Sequence, residues 1–395
     1  SLDLALLPLY YISIHYKENL RNVSLQKAGK PMLKHKDHFH GSDLEKIEAI
    51  YHIKKEEIIS FSANVNPLGI SSRLRNSLSH HLDAITVYPD REYRELRQCI
   101  AAYAGSQPEN IIVGNGSTEL ISLFIQTHQP KKAMILGPTY SEYEREITLG
   151  GGSTVYYPLR EEQNFQMDVG DFCSHLNDSL DLVVLCNPNN PTSTAISAAE
   201  MRRILDACLQ HGIFVMVDET YIEFTENVER MSSVSLTNYY TNLIILRGTS
   251  KFFAAPGLRL GYAVTGNQDL IRTINTRQNP WSISSLAEIA GRLMFQDQEY
   301  MEATRDLILS ERKRMYDTLR GWDTVKVYPP AANFILAKIL KPGMDADQLF
   351  DHCIRRKLMI RNCSTFPFLD NHFFRFCIMK PEQNDLLLEV LREVL

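Results

Sequence analysis

The stretch NLIILRGTSKFFAAPGLRLGY (242–262) joins an apolar strand pattern to a loop that holds Lys251, a Pro-Gly turn and Arg259. A strand end that opens into a loop is where α/β proteins place reactive groups. Taken alone, a lysine at this position is an ordinary surface residue. Whether Lys251 has a function therefore depends on what the other strand ends of the chain contain.

Strand and helix patterns alternate around this stretch. Apolar runs predict strands at NIIVG (110–114), KKAMILG (131–137), LDLVVLC (180–186), IFVMV (213–217), NLIIL (242–246) and LGYAVTG (260–266). Amphipathic patterns predict helices at REYRELRQCIAAYAG (91–105), STELISLFIQTH (117–128) and SAAEMRRILDACLQHG (197–212). This alternation predicts an α/β fold, with a mostly parallel sheet covered by helices on both faces.

The pattern changes after about residue 286, where a long helix beginning with SLAEIAGRLMFQ is followed by short strands separated by helices. With 395 residues, of which 44% are apolar, the chain is long enough for two domains. We predict an N-terminal arm (1–40), a segment that contributes to the small domain (41–85), a large domain (86–286) and a smaller α+β domain (287–395).

Composition excludes several classes of function. The formal net charge is −5, so no basic field favours nucleic acid or anionic lipid as a partner. Seven cysteines without a CxxC pair fit a reducing cytoplasm better than a disulfide framework or a zinc site. The apolar start SLDLALLPLYYISI is short, contains Pro8 and lacks a basic leader, so we expect neither a signal peptide nor a membrane span.

Three further strand ends contain polar side chains. GNGSTE (114–119) places Gly116, Ser117 and Thr118 before a helix, which suits either a helix cap or a phosphate cradle. NPNNPTS (187–193) holds Asn190 in a loop that two Asn-Pro steps keep out of helix. VDETY (217–221) places Asp218 at the end of an apolar strand, where a carboxylate needs a cationic partner.

One chemistry uses all these groups together, that of pyridoxal 5′-phosphate (PLP): a lysine for its aldehyde, a cradle for its phosphate and a carboxylate for its ring nitrogen. The chain resembles the fold-type-I, class I and II aminotransferase superfamily over nearly its whole length. The resemblance rests on TVYPDREYRELR, GNGSTEL, GPTYSEY, NPNNPT, VDETY and TSKFFAAPGLRLGY. It implies that residues 86–286 form a PLP-binding domain and that the protein is an enzyme.

The resemblance also assigns roles to single residues. It implies that Lys251 is the Schiff-base lysine and catalytic base, that Asp218 pairs with the pyridinium nitrogen, and that Asn190 and Tyr221 donate to the phenolate oxygen. The family's ring-stacking tyrosine matches Tyr140, and its phosphate site matches Gly116, Ser117, Thr118 and Arg259. The resemblance also implies a homodimer in which Tyr88 reaches the partner subunit's cofactor.

The sequence departs from the family pattern at two positions of the PLP-binding motifs, and also after His40, where Gly-Ser-Asp stands in place of the usual Gly-Gly-Asn and Asp43 adds a negative charge. The serine or threonine that often lies three residues before the lysine is Gly248 here, and Thr249 or Ser250 is the candidate replacement. The common NPTG motif is NPTS, with Ser193 in place of glycine.

For the substrate, the pieces HFHG, FSANVNPLG, QNPWSISSLAEIAG and the pair RNCSTF and FFRF are most similar to L-threonine-O-3-phosphate decarboxylases, followed by histidinol-phosphate aminotransferases. This resemblance implies a phosphorylated or phosphonate amino acid that reacts through an external aldimine. It assigns Arg375 to the substrate carboxylate and Arg361 and His40 to a second anion. Decarboxylation and transamination use the same residues, so both stay open.

Two other classes of function are less consistent with the sequence. A PLP-binding sensor of the transcription-regulator type would need a DNA-binding domain, and the segment before residue 40 is too short for one. A nicotinamide enzyme would need a GxGxxG turn, which GNGSTE lacks.

Overall fold

The computed structural model describes residues 42–395. The predicted arm (1–40) and the predicted substrate contact His40 lie outside the described residues. Within residues 42–395, no helix combines the length and apolar character that crossing a bilayer requires.

A seven-stranded sheet forms the centre of the molecule, in the order β2-β8-β7-β6-β5-β3-β4. Its strands are β2 (Ile111–Gly114), β3 (Lys132–Gly137), β4 (Ser153–Pro158), β5 (Leu182–Cys186), β6 (Phe214–Asp218), β7 (Leu243–Gly248) and β8 (Gly261–Val264). All neighbouring pairs are parallel except the two made by β8. The predicted α/β class and mostly parallel sheet are confirmed.

Both faces of this sheet are buried, which explains the continuous apolar runs of its central strands. In β5, Val183 and Leu185 belong to one hydrophobic cluster, whereas Leu182 and Val184 belong to a second cluster on the opposite face. The edge strand β4 has mostly half-buried residues, so its sequence STVYYP gave no apolar run and was not predicted.

Helices cover the sheet and continue into the C-terminal part. They span Leu44–Tyr51, Ser72–His80, Arg94–Ala104, Ser117–His128, Glu142–Leu149, Val169–Ser174, Ala198–Gln210, Val228–Met231, Gln268–Arg277, Ser285–Met294, Gln298–Arg320, Ala346–Arg355 and Pro381–Val394. The long helix expected from residue 285 onward is two helices, because Asp297 caps a new helix by accepting a hydrogen bond from the Tyr300 amide.

A second, antiparallel sheet has the order β12-β13-β10-β9. Its strands are β9 (Val325–Val327), β10 (Phe334–Ile339), β12 (Arg361–Asn362) and β13 (Phe373–Cys377). The short strand β1 (Ile59–Ser60) pairs in parallel with β11 (Leu358–Met359), so a segment before the central sheet packs with the C-terminal part.

Three glycines lie side by side at one edge of the central sheet. Gly114 at the end of β2 pairs with Gly261, which in turn pairs with Gly248 at the end of β7. A Cβ atom on Gly261 would lie 2.5 Å from the Ser117 amide nitrogen, so only glycine lets this strand approach the helix N-terminus. The carboxyl ends of β5 and β6 meet the same edge, where Cys186 pairs with Asp218.

Candidate active site

A cleft of about 380 Å³ lies at this edge of the sheet, between the two sheets. Its volume lies within the range of ligand pockets. Most of the predicted site residues line it: Ser117, Thr118, Tyr140, Asn190, Asp218, Tyr221, Ser250, Lys251, Arg259, Arg361 and Arg375. The structure therefore brings together side chains that are up to 258 residues apart in the sequence, from Ser117 to Arg375.

Asp218 is buried at the end of β6 and is held by neutral donors. Thr220 donates two hydrogen bonds to its Oδ1, from the amide at 2.9 Å and from the hydroxyl at 2.5 Å. The Tyr143 hydroxyl donates to Oδ2 at 2.7 Å. Burial raises the pKa of the carboxyl group. Within residues 42–395 no cation forms an ion pair with Asp218, so a protonated ring nitrogen fits here as its partner.

Lys251 follows β7 and points into the cleft, where its amine donates a 2.6 Å hydrogen bond to the Ala63 carbonyl. Burial, and to a smaller extent the nearby charge of Arg375, lowers the pKa of Lys251 to about 8. An amine with this pKa is far more often neutral at physiological pH than an ordinary lysine, which suits both bond formation to an aldehyde and proton transfer.

The residues expected to form a phosphate cradle lie together at the start of one helix. Ser117 begins the helix Ser117–His128 after Gly116, whose φ is 84°. The Arg259 guanidinium lies over Gly116, since a Cβ atom there would come within 2.3 Å of Arg259 Nη2. A helix N-terminus with two hydroxyls and one arginine fits a phosphate dianion.

Of the two candidate replacements for the missing residue at Gly248, Ser250 lines the cleft. Thr249 is buried, and its hydroxyl donates to the Leu260 carbonyl at 3.1 Å. Ser250 is therefore the hydroxyl that is available to a ligand.

Asn190 and Tyr221 lie on the side of the cleft towards the second sheet. Asn190 Oδ1 accepts a hydrogen bond from Arg375, and the Tyr221 hydroxyl accepts one from Asn64 Nδ2 at 3.3 Å. Burial raises the pKa of Tyr221 to about 12, so its hydroxyl stays protonated and can donate to a ligand oxygen.

Among the cleft residues that were not identified from the sequence are Tyr143 and Asn64. Tyr143 lies in GPTYSEY three residues after Tyr140, and the two rings meet edge to face at 5.5 Å. Asn64 lies in FSANVN, where no periodic pattern marks it. Tyr143 lies in the helix Glu142–Leu149 and Tyr140 in the loop before it, so the available signal for Tyr143 was the second tyrosine of GPTYSEY.

Arg361 and Arg375 line the cleft from the second sheet. They are cross-strand partners in the antiparallel pair of β12 and β13, and both are buried. Burial, and to a smaller extent the charge of Arg375, lowers the pKa of Arg361 to about 10, although Asp43 partly offsets this lowering. Arg361 also donates to the Thr365 hydroxyl at 3.3 Å.

Tyr88 does not reach the cleft of its own chain. Its side chain is 78% exposed and packs against Trp281, with the ring centroids 4.7 Å apart.

Comparison with known proteins agrees with this geometry. The family model of the class I and II aminotransferases matches residues 56–391. A protein of Caldanaerobacter subterraneus subsp. tengcongensis, provisionally assigned as a threonine-phosphate decarboxylase, is 37% identical over 84% of this chain and 88% of its own length. The threonine-phosphate decarboxylase of Salmonella typhimurium is 32% identical over 90% of this chain and 96% of its own. The solved histidinol-phosphate aminotransferase of Clostridium acetobutylicum superimposes with a TM-score of 0.79 and 34% identity, covering 85% of this chain and 98% of its own.

The buried acid without a cation, the lysine of lowered pKa and the glycine-bounded cradle all fit PLP, which is the cofactor of this family. The chain belongs to the class I and II aminotransferase family and is a PLP-dependent enzyme.

Proposed function

We propose that the protein decarboxylates a phosphorylated amino acid, with L-threonine O-3-phosphate as the best candidate substrate, and that it works as a cytoplasmic homodimer. The observation that supports this substrate class most directly is the pair Arg361 and Arg375. Like charges directly opposite each other on two strands are unfavourable unless anions neutralise them.

The cofactor end of the cleft would be held by residues of the large sheet. Ser117, Thr118, Ser250 and Arg259 would bind the phosphate of PLP, with Gly116 admitting it to the helix N-terminus. Asp218 would pair with the ring nitrogen, Asn190 and Tyr221 would donate to the phenolate oxygen, and Tyr140 would stack on the ring. When bound, PLP draws electrons from the bonds of the substrate Cα.

The other end of the cleft would bind the substrate. The Arg375 fork would grip the α-carboxylate, because a planar guanidinium matches a carboxylate with two parallel hydrogen bonds. Arg361 would bind the phosphate. Lys251 would hold or deliver the proton at the substrate Cα, since its lowered pKa lets it exchange a proton near neutral pH.

A second candidate function is the aminotransferase reaction on histidinol phosphate, favoured by the likeness to the Clostridium acetobutylicum enzyme. Histidinol phosphate has one anionic group, whereas L-threonine O-3-phosphate has two. Two separate buried cations therefore favour the phosphorylated amino acid, or an amino acid with a phosphonate group.

The homodimer is supported by an exposed apolar surface around Tyr88. Besides Tyr88, the side chains of Leu82, Ile85 and Val87 are 57%, 68% and 66% exposed, and Trp281 is 40% exposed. A monomer seldom exposes several large apolar residues together, so a second copy of the chain would cover them. The partner's Tyr88 would then complete the phosphate site.

The deciding experiment measures two products from the PLP-loaded enzyme. With L-threonine O-3-phosphate and no amino acceptor, we expect stoichiometric carbon dioxide. With histidinol phosphate and 2-oxoglutarate, we expect no glutamate above the level of a Lys251→Ala control. Glutamate formation without carbon dioxide release would favour the aminotransferase and reject the decarboxylase.

A further inference from the structure

The loop Asn187–Ser193 contains a residue for which the proposed function has no role. Ser193 is fully buried and has a φ of 61°, in the left-handed region that favours glycine. Serine therefore has an unfavourable backbone conformation at a position where glycine would be relaxed. A residue kept under such strain at the edge of an active site suggests that its side chain has a use.

The Ser193 hydroxyl makes one contact that a glycine could not make. Its Oγ accepts a 2.9 Å hydrogen bond from the Ala332 amide, while the Ser193 carbonyl accepts a 2.7 Å bond from the Ala331 amide. Both alanines precede β10 of the second sheet, whereas Ser193 follows β5 of the central sheet. The hydroxyl thus joins the loop after β5 to the segment before β10, three residues away from the cleft residue Asn190.

The segment 331–333 makes further hydrogen bonds, and one of them reaches a residue of the cleft, Asn64. Arg312 Nη1 donates to the carbonyls of Ala331 and Ala332, and Asn333 Nδ2 donates to the Asn64 carbonyl at 2.9 Å. Asn64 in turn donates to Tyr221. The Ala332 amide has only Ser193 Oγ as its acceptor among the described residues, so losing the hydroxyl leaves a buried N–H unpaired.

The same loop touches the proposed carboxylate site. Asn190, three residues before Ser193, accepts the hydrogen bond from Arg375 on β13. The loop therefore contacts the second sheet and the segment before it through Asn190 with Arg375, the Ser193 carbonyl with Ala331, and the Ser193 hydroxyl with Ala332. Loss of the Ser193 hydroxyl removes one of these three contacts and loosens the separation between the central sheet and the two arginines.

We propose that Ser193 is a positioning residue. Its hydroxyl fixes the second sheet against the strand ends of the central sheet that would hold PLP, and so places Arg375 for the substrate carboxylate. The identity of the substrate in this inference rests on the proposed function. The contact between Ser193 and Ala332 does not depend on that function.

The test compares Ser193→Ala and Ser193→Gly with wild type, all loaded with PLP. Both variants lack the hydroxyl, but only alanine keeps the backbone strain. We expect both to raise KM for L-threonine O-3-phosphate about three- to tenfold with kcat changed less than twofold, because a hydrogen bond of ordinary strength is lost from the bound geometry. PLP affinity should stay within twofold of wild type.

A second measurement needs no substrate. Amide hydrogen exchange of a peptide that spans residues 328–334 should speed up in both variants and stay unchanged elsewhere in the second sheet. Ser233→Ala is the matched control, because Ser233 is also fully buried but its hydroxyl has no partner among the described residues.

The outcomes separate the two proposals. If wild type does not turn over L-threonine O-3-phosphate, the proposed substrate is wrong, and the exchange measurement alone decides the role of the Ser193 hydroxyl. Unchanged exchange at 328–334 in both variants overturns the inference. So does an unchanged KM in both variants with an active wild type, or an effect of alanine that glycine does not share.

Discussion

Tyr143 donates a 2.7 Å hydrogen bond to Asp218 Oδ2, and this is the only hydrogen bond that the oxygen receives within residues 42–395. Burial raises the pKa of the Asp218 carboxyl group, and this hydrogen bond acts in the opposite direction by lowering it. Tyr143 therefore helps to keep Asp218 ionised, and an ionised Asp218 is what a protonated ring nitrogen needs as its partner.

Replacing Tyr143 with phenylalanine should weaken PLP binding. Removing the donor raises the pKa of Asp218 further, and hydrogen bonds to charged groups contribute about 1.5–3 kcal/mol. We expect a roughly tenfold or larger increase in the Kd of PLP, measured by titration of the apoenzyme. Tyr157→Phe is the control, since Tyr157 donates to Asp171, which lies outside the cleft. Equal PLP affinity in Tyr143→Phe and wild type would contradict the role.

The pH dependence of PLP attachment should follow the lowered pKa of Lys251. Its amine must lose a proton before it bonds to the aldehyde, so the attachment rate should rise with pH and level off above about pH 8. With an ordinary lysine the rise would continue to about pH 10.5. Arg375→Ala removes a charge that lowers this pKa, so its midpoint should move to higher pH.

Borohydride reduction followed by peptide mass spectrometry checks which lysine is attached. Lys251→Ala should bind PLP without a covalent bond, and modification of any other lysine in wild type would reject the assignment.

Sequence patterns were sufficient to predict the strands and helices whose apolar residues follow a regular pattern. The strand Leu182–Cys186 could be predicted because both of its faces are buried, and the helix Ser117–His128 because its apolar residues recur with helical spacing. The polar residues at the strand ends were found for a related reason. Asp218 closes an apolar run, where an acid has no structural reason to lie.

The contacts between distant segments could not be predicted from patterns. Asn64 reaches Tyr221 across 157 residues, and this contact exists only because β1 joins β11 next to the cleft. The pairing of Arg361 with Arg375 depends on the register of β12 and β13, which is set by the loop between them. Local sequence does not determine either arrangement.

A mixing experiment tests the shared site of the proposed homodimer. Lys251→Ala and Tyr88→Ala chains should each be inactive alone, but a heterodimer has one site with Lys251 from one chain and Tyr88 from the other. Random exchange of equal amounts should restore roughly a quarter of wild-type activity, since half of the dimers are mixed and each has one intact site.

The control mixes Lys251→Ala with Asp218→Ala. Both residues belong to the same chain's site, so no activity should return. Absence of recovery in the Tyr88 mixture, with subunit exchange verified by mass spectrometry, would reject a shared site.

Adding a hydroxyl at Gly248 should tighten PLP binding. A Cβ atom there fits without a clash, 3.6 Å from the Leu260 carbonyl oxygen and 3.7 Å from Ser117 Oγ. Gly248→Ser therefore places a donor beside the cradle, and we expect the Kd of PLP to fall about three- to tenfold. Gly257→Ser, where a Cβ atom meets nothing within 4 Å, is the control. A Kd that is unchanged or higher in Gly248→Ser would show that the phosphate lies elsewhere.

The last prediction concerns the two facing arginines. Arg361→Ala should raise KM for L-threonine O-3-phosphate about ten- to a hundredfold, because a buried charge-assisted pair with the phosphate is lost. Plain L-threonine has no phosphate, so the residual rate with it should change less than threefold. PLP affinity should not change, since Arg361 belongs to the second sheet and not to the strand ends that would hold PLP. Arg356→Ala controls for a lost arginine, because Arg356 is a surface residue paired with Glu393. Equal losses for both substrates in Arg361→Ala would show that Arg361 only stabilises the fold and that the second anion site is wrong.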